Sequence, residues 1–264
     1  MTAVSLNELV GYLDQYLKIS EIPDAPTAVN GLQVANRGRV GRVMAAVDVS
    51  QAAIDGIVES HQAAVAAGSD EAPPMMLVHH GLFWDGTYAV SGRRYRRLKA
   101  LLDADIALYG AHIPLDVHPD VGNNAVLARD LGLSAPFPYD DYKGVPLGVA
   151  GDRTMPRDEL VAWVEQRLNA SVRLIPGGPE VTRRIGIITG AAGSRILTAR
   201  EAGCDTFLTG EGMHHTWFDA MEFGVNVIYA GHYATEQVGV QALARHLSET
   251  FGLPWEFRDH PTGM

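Results

Sequence analysis

The chain reads as an α/β protein built of two α/β lobes, each a mixed sheet covered by helices. Two observations predict this. Short apolar runs, such as Val43–Val49 and Met75–Val78, alternate with segments whose apolar residues recur at helical spacing. A stretch rich in Pro, Gly and Asp, from Pro136 to Gly151, then divides the chain into two such series.

The elements follow in order. Ser5 and Glu8 form a capping-box pattern ahead of Leu6, Leu9, Val10, Leu13 and Leu17, which predicts a first helix. Val43–Val49 reads as a strand, and Ser50 can cap the helix that carries Ala53, Ile54, Ile57 and Val58. Met75–His80 and Ile106–Tyr109 read as short buried strands with an arginine-rich helix between them. Asn123–Leu131 is helical and stops at Gly132. Beyond the Pro/Gly stretch, Thr154 and Pro156 open a helix to Leu168, and Val172–Ile175 reads as a strand. Arg184–Thr189, the loop Gly190–Gly193, a helix to Ala202 and Thr206–Thr209 make a strand–helix–strand unit. A helix near Met213–Phe223, a strand at Val225–Ala230 and a last helix at about Thr235–Thr250 complete the alternation.

At 264 residues the chain can bury one large core or two modest ones. With 47% hydrophobic and 20% charged residues it has the composition of a globular protein. No apolar run approaches the ~18 residues a membrane span needs, and the N-terminus lacks a basic segment followed by an apolar block. A single cysteine, Cys204, excludes an internal disulfide and suits a reducing compartment, so a cytoplasmic protein is expected. The net charge of −10 disfavours broad binding to nucleic acid. One local exception is Arg93-Arg94-Tyr95-Arg96-Arg97 with Lys99, either a solvated helix or subunit contact, or a basic wall for a phosphorylated or anionic substrate.

Ligands in such sheets gather beyond the carboxyl ends of strands. There the sequence concentrates imidazole and carboxylate: His79-His80-Gly81, His112 with Asp116 beyond it, Glu211 with His214-His215, and His232 followed by Glu236. Adjacent side chains on a strand point to opposite faces, so His79 and His80 can share a site only if the chain leaves the pleat there. Gly81 makes such a turn inexpensive. His232 and Glu236, four apart, share a face if both lie in the first turn of a helix. Such a donor set suits zinc, iron or manganese and excludes a thiolate site. The competing reading is that each histidine is structural or simply exposed, since the chain has 10 of them.

The segments Leu77–Trp84, Tyr109–Asp116, Thr209-Gly210-Glu211 and Gly231–Glu236 resemble the Nif-three-like dinuclear metal-centre family, whose bacterial members are often called homologues of type 2 GTP cyclohydrolase I. The resemblance runs nearly end to end, including Gly31-Leu32-Gln33-Val34 and Gly122-Asn123-Asn124. It implies two divalent metal ions held by His79, His80, Asp116, His232 and Glu236, with Glu236 bridging them and His112 beside the metals or facing substrate. It also implies a ring-shaped homohexamer. On that basis the site is expected at the strand ends between the lobes, with the last helix returning to the first lobe. The expected domains are therefore 1–135 plus 230–264, carrying the metals, and 136–229.

The function these features favour is a metal-dependent hydrolase acting on a nucleotide or another small anionic heterocycle, with His112 or His215 as proton carrier. The alternative is a metal-binding regulatory or scaffold protein, since no nucleophile motif such as G-x-S-x-G is present. Glu211, His214 and His215 are open between a substrate wall, a structural or surface role, and a further metal. The loop Gly190–Gly193 reads as a tight turn more readily than as an anion site.

Overall fold

The computed structural model describes residues 3–264. In chain order it begins with β1 (Val4–Ser5), α1 (Leu6–Tyr16), β2 (Gly31–Val34), β3 (Arg39–Val40), β4 (Val43–Asp48), α2 (Gln51–Ala66), β5 (Met75–His80), α3 (Gly92–Asp103) and β6 (Ala107–Gly110). It continues with α4 (Ile113–Asp116), α5 (Asn123–Asp130), β7 (Ser134–Tyr142), β8 (Val145–Pro156), α6 (Arg157–Leu168), β9 (Arg173–Pro176) and β10 (Val181–Ile187). It ends with α7 (Ile196–Glu201), β11 (Thr206–Thr209), α8 (Thr216–Phe223), β12 (Asn226–Tyr229), α9 (His232–Phe251) and β13 (Trp255–Phe257). The class is mixed α/β, as predicted.

Two compact units result: Met1–Leu115 with Val240–His260, and Asp116–Gly239 with Pro261–Met264. Segments 116–135 and 230–239, assigned from the sequence to the first domain, belong to the second unit. The first unit has a five-stranded sheet in the order β13-β4-β5-β6-β2. Its first four strands run parallel, and β2 is antiparallel to β6. Val43–Val47 and Met75–His79 are buried throughout, which explains their unbroken apolar character up to His79. Met44, Ala46, Met76, Val78 and Leu108 pack with Ile54 and Ile57 of α2 and Leu101 of α3. The Ser50 hydroxyl caps α2 by accepting from Ala53 N at 3.1 Å. Ser5 makes no such bond at α1; burial of Leu6, Leu9 and Leu13 holds that helix instead.

The second unit has a six-stranded sheet in the order β7-β8-β10-β11-β12-β9, with β10, β11 and β12 parallel. Residues 136–151, predicted as a boundary, form most of the β7–β8 hairpin instead. Their composition has a local reason. β7 is the sheet edge, where Pro136 and Pro138 cost no central ladder bonds. Lys143 and Gly144, at φ 53° and 89°, supply the two left-handed residues of a tight hairpin turn. Among the described residues, no helix is long and apolar enough to cross a membrane.

Candidate metal centre

In the first unit, the carboxyl ends of β4, β5 and β6 bring three imidazoles together. His79 is 1% exposed, and its Nδ1 lies 2.9 Å from Ala111 O. A carbonyl only accepts, so Nδ1 carries the proton and Nε2 the lone pair. His80 is held the same way: its Nδ1 is 2.9 Å from Asp48 Oδ1, on the residue paired with it in register across β4 and β5. His112 Nδ1 lies 2.9 and 3.1 Å from the two Asp24 oxygens. Burial opposes the charge on Asp24, yet hydrogen bonds from His112, Asn30 and the Ala25 amide hold its carboxyl below the ordinary range. The rings of His79 and His80 lie 4.8 Å apart, those of His79 and His112 5.0 Å. The three offer ring nitrogens within 4.8 Å of one another, a group that could hold a metal ion.

Gly81 is needed here for a different reason from the one its sequence suggests. Its φ is not in the left-handed region; a Cβ there would lie 2.1 Å from Gln33 Nε2. The Gln33 amide is itself fixed, donating to Val29 O at 2.8 Å and accepting from Leu82 N at 2.7 Å. Gln33 therefore fixes the chain just after the histidine pair.

In the second unit the carboxyl ends of β10, β11 and β12 gather the remaining candidates. His232 and Glu236 do share the first turn of α9, with Nε2 and Oε2 3.1 Å apart. Glu211, after β11, accepts from His232 Nδ1 at 2.7 Å. Burial alone would lower the His232 imidazolium, but Glu236 and then Glu211 overcome it and raise the pKa to about 9. Glu236 is 3% exposed. Asp116 Oδ1 accepts from Asn123 Nδ2 at 2.8 Å and from Thr189 Oγ1 at 3.3 Å. These two hydrogen bonds fix the orientation of the Asp116 carboxylate.

The loop after β10 is a tight turn serving the same site. Gly190 has φ +69°, and a Cβ on it would lie 2.3 Å from Glu236 Oε1. Its amide donates to Thr235 Oγ1 at 3.1 Å, and its carbonyl accepts from Gly210 N and Glu211 N. Gly190→Ala is therefore expected to cost about 2–4 kcal/mol, from the left-handed backbone and the collision together. It should also displace the Glu236 carboxylate and reduce metal affinity; urea unfolding and a zinc titration check both effects.

The tandem His214-His215 is exposed at the start of α8. His214 stacks edge-on to Phe218 at 5.8 Å, and His215 makes no hydrogen bond to Glu211, His232 or Glu236. Cys204 is buried, and burial pushes its thiol up to about 12, which leaves no thiolate for metal or catalysis. Asp24 and Asp48 escaped the sequence reading. Asp48 could have been found, since it ends a strand beside the one ending in His80; Asp24 sits in a loop with no pattern around it.

The sequence profile of the Duf34/NIF3 (NGG1p interacting factor 3) family matches residues 4–261. The chain belongs to the DUF34/NIF3 family. Among relatives, it is 42% identical to a GTP cyclohydrolase 1 type 2 homolog of Deinococcus radiodurans, covering 99% of this chain and 95% of that one. A protein of the same name from Pyrococcus abyssi is 40% identical over 97% and 98% of the two chains. The crystal structure of TTHA1606 from Thermus thermophilus superimposes with a TM-score of 0.87 at 39% identity, covering 99% of this chain and all (100%) of that one. For this DUF34/NIF3 chain, the buried His and Glu groups are thus possible metal ligands in a known family fold.

Proposed function

We propose that the chain is a divalent-metal-dependent hydrolase of a nucleotide or another small anionic heterocycle. Two ions, zinc, iron or manganese, would be held by His79, His80, Asp116, His232 and Glu236. One observation carries this reading: His79, His80 and His232 each have Nδ1 tied to a fixed oxygen, of Ala111, Asp48 and Glu211. That is how proteins orient imidazoles that ligate through Nε2. The nitrogen and carboxylate donors fit borderline and hard divalent ions, and the chain offers no thiolate to compete.

Ions in this site would supply Lewis-acid polarisation of a substrate oxygen and activation of water near neutral pH. The chain's own residues do the rest. Asp24 holds the His112 ring by Nδ1, so that Nε2 is the end that takes or gives a proton. Trp84, 4.4 Å from the His112 ring and 40% exposed, gives that imidazole an aromatic wall against which a heterocycle can stack. The homohexamer implied by the family resemblance belongs to the same proposal, with exposed Met213, Trp217 and Phe218 as apolar surface to bury.

The test is a panel of nucleotides and related heterocycles offered to metal-loaded protein. Turnover should fall at least a thousandfold in Asp116→Ala and in Glu236→Ala. Turnover retained in either variant rules out this mechanism. Metal-dependent assembly with no turnover across the panel favours the regulatory or scaffold reading.

A further inference from the structure

The arginine run on α3 divides into separate roles. Arg94 is structural: it is buried and paired with Asp85, and it donates to Tyr88 O at 3.1 Å. Arg96 is exposed. Arg93 and Arg97 instead line a cavity of about 200 Å³ together with Ser50, His80 and Trp84. Two carboxylates also face it, and both are engaged. Asp85 pairs with Arg93 and Arg94, and Asp48 accepts from His80 Nδ1.

Arg97 differs from them. It makes no salt bridge among the described residues, and its buried Nε has no hydrogen-bond partner. Burial, and then repulsion from Arg93, outweigh the attraction of Asp85 and Asp48 and hold its guanidinium below the ordinary value. A half-buried cation with an unsatisfied buried donor is stabilised when an anion completes it. The N-terminus of α2, capped by Ser50 at the cavity wall, adds a positive field. Guanidinium donors match the fork geometry of phosphate oxygens, which a point-charge lysine would not.

We propose that this cavity is a phosphoryl subsite, in which Arg97, assisted by Arg93, binds a phosphate group of the substrate beside His80. Its role in substrate binding rests on the hydrolase reading; its capacity to bind phosphate does not. The site therefore selects a phosphorylated heterocycle over an unphosphorylated one.

Binding is tested on the full chain without divalent metal, at low ionic strength, by titrating inorganic phosphate and pyrophosphate. The readout is the nitrogen–proton spectrum of the indoles and of arginine Nε. Of 4 tryptophans, only the one in the cavity, Trp84, should shift, together with Arg97 Nε, and both should saturate. Arg97→Gln should weaken binding about tenfold or more, while Arg97→Lys retains part of it. Arg96→Gln, which removes the same charge from an exposed position, should leave binding unchanged. Zinc binding and circular dichroism should match wild type in all three variants. Three results overturn the subsite: no saturable shift, equal losses in Arg97→Gln and Arg96→Gln, or phosphate binding that appears only once metal is added. Failure of the hydrolase reading looks different, since phosphate would then still bind to the metal-free protein while no substrate turns over.

Discussion

Glu236→Gln is expected to bring the His232 pKa down from about 9 toward the ordinary imidazole value and to weaken zinc or manganese binding roughly a hundredfold or more. The cause lies in the local balance of forces. Burial disfavours the His232 imidazolium, and the contact with Glu236 at 3.1 Å is what chiefly reverses this. Glu211 lies closer, at 2.7 Å, but its side chain is 42% exposed, so solvent screens its charge more than that of the buried Glu236 side chain. The folded pKa is raised, so in the ion-free protein the pairing contributes stability that is complete below about 6.5 and lost as pH rises through about 9. That contribution is on the order of 3 kcal/mol. An incoming ion must displace the same proton, so affinity should climb about tenfold per pH unit from 7 toward 9. In Glu236→Gln that slope should flatten. Competition titrations with a metal indicator at several pH values, with the His232 ring followed by NMR, decide the point. An unchanged slope in the variant removes His232 and Glu236 from the site.

Asp24→Ala is expected to destabilise the first unit by about 3–4 kcal/mol and to release His112 from its fixed orientation. The Asp24 side chain is 6% exposed and accepts from four groups at once: Ala25 N at 2.6 Å, Asn30 Nδ2 at 2.8 Å, His112 Nδ1 at 2.9 Å and Ile113 N at 3.0 Å. Alanine leaves those part-buried donors without their acceptor. Asp24 has a lowered folded pKa, so its contribution is present above the ordinary 3.8 and disappears as pH falls through the lower folded value. Urea unfolding at pH 7 and at pH 3 separates the two regimes, with the difference between wild type and variant shrinking at the acid end. A loss below 1 kcal/mol at neutral pH would mean that Asp24 does not fasten the loop to His112.

Much of this was legible in the residues. The parallel strands β4 and β5 announce themselves as apolar runs because both faces are buried, and their polar endings mark where the chemistry lies. The β7–β8 hairpin was not legible. Pro136, Pro138 and Gly144 have the composition of a linker, and only pairing with β8 turns an edge strand with proline into part of a sheet. β13 was missed because Trp255–Phe257 is three residues long and acquires strand geometry by pairing with Val43–Ala45. The same contrast holds at the site. His79, His80 and His232 stand at strand ends and in a helix turn, where spacing exposes them. Asp24, Thr189 and Gln33 act through contacts with residues far away in sequence, which no local pattern encodes.

The most direct measurement is anomalous scattering from crystals of protein loaded with zinc or manganese, recorded on either side of the metal absorption edge. Two peaks per chain are expected, shared among His79, His80, Asp116, His232 and Glu236, with Glu236 touching both. Peaks elsewhere on the chain, or loaded crystals with no peak at these five residues, would contradict the assignment of a two-metal centre.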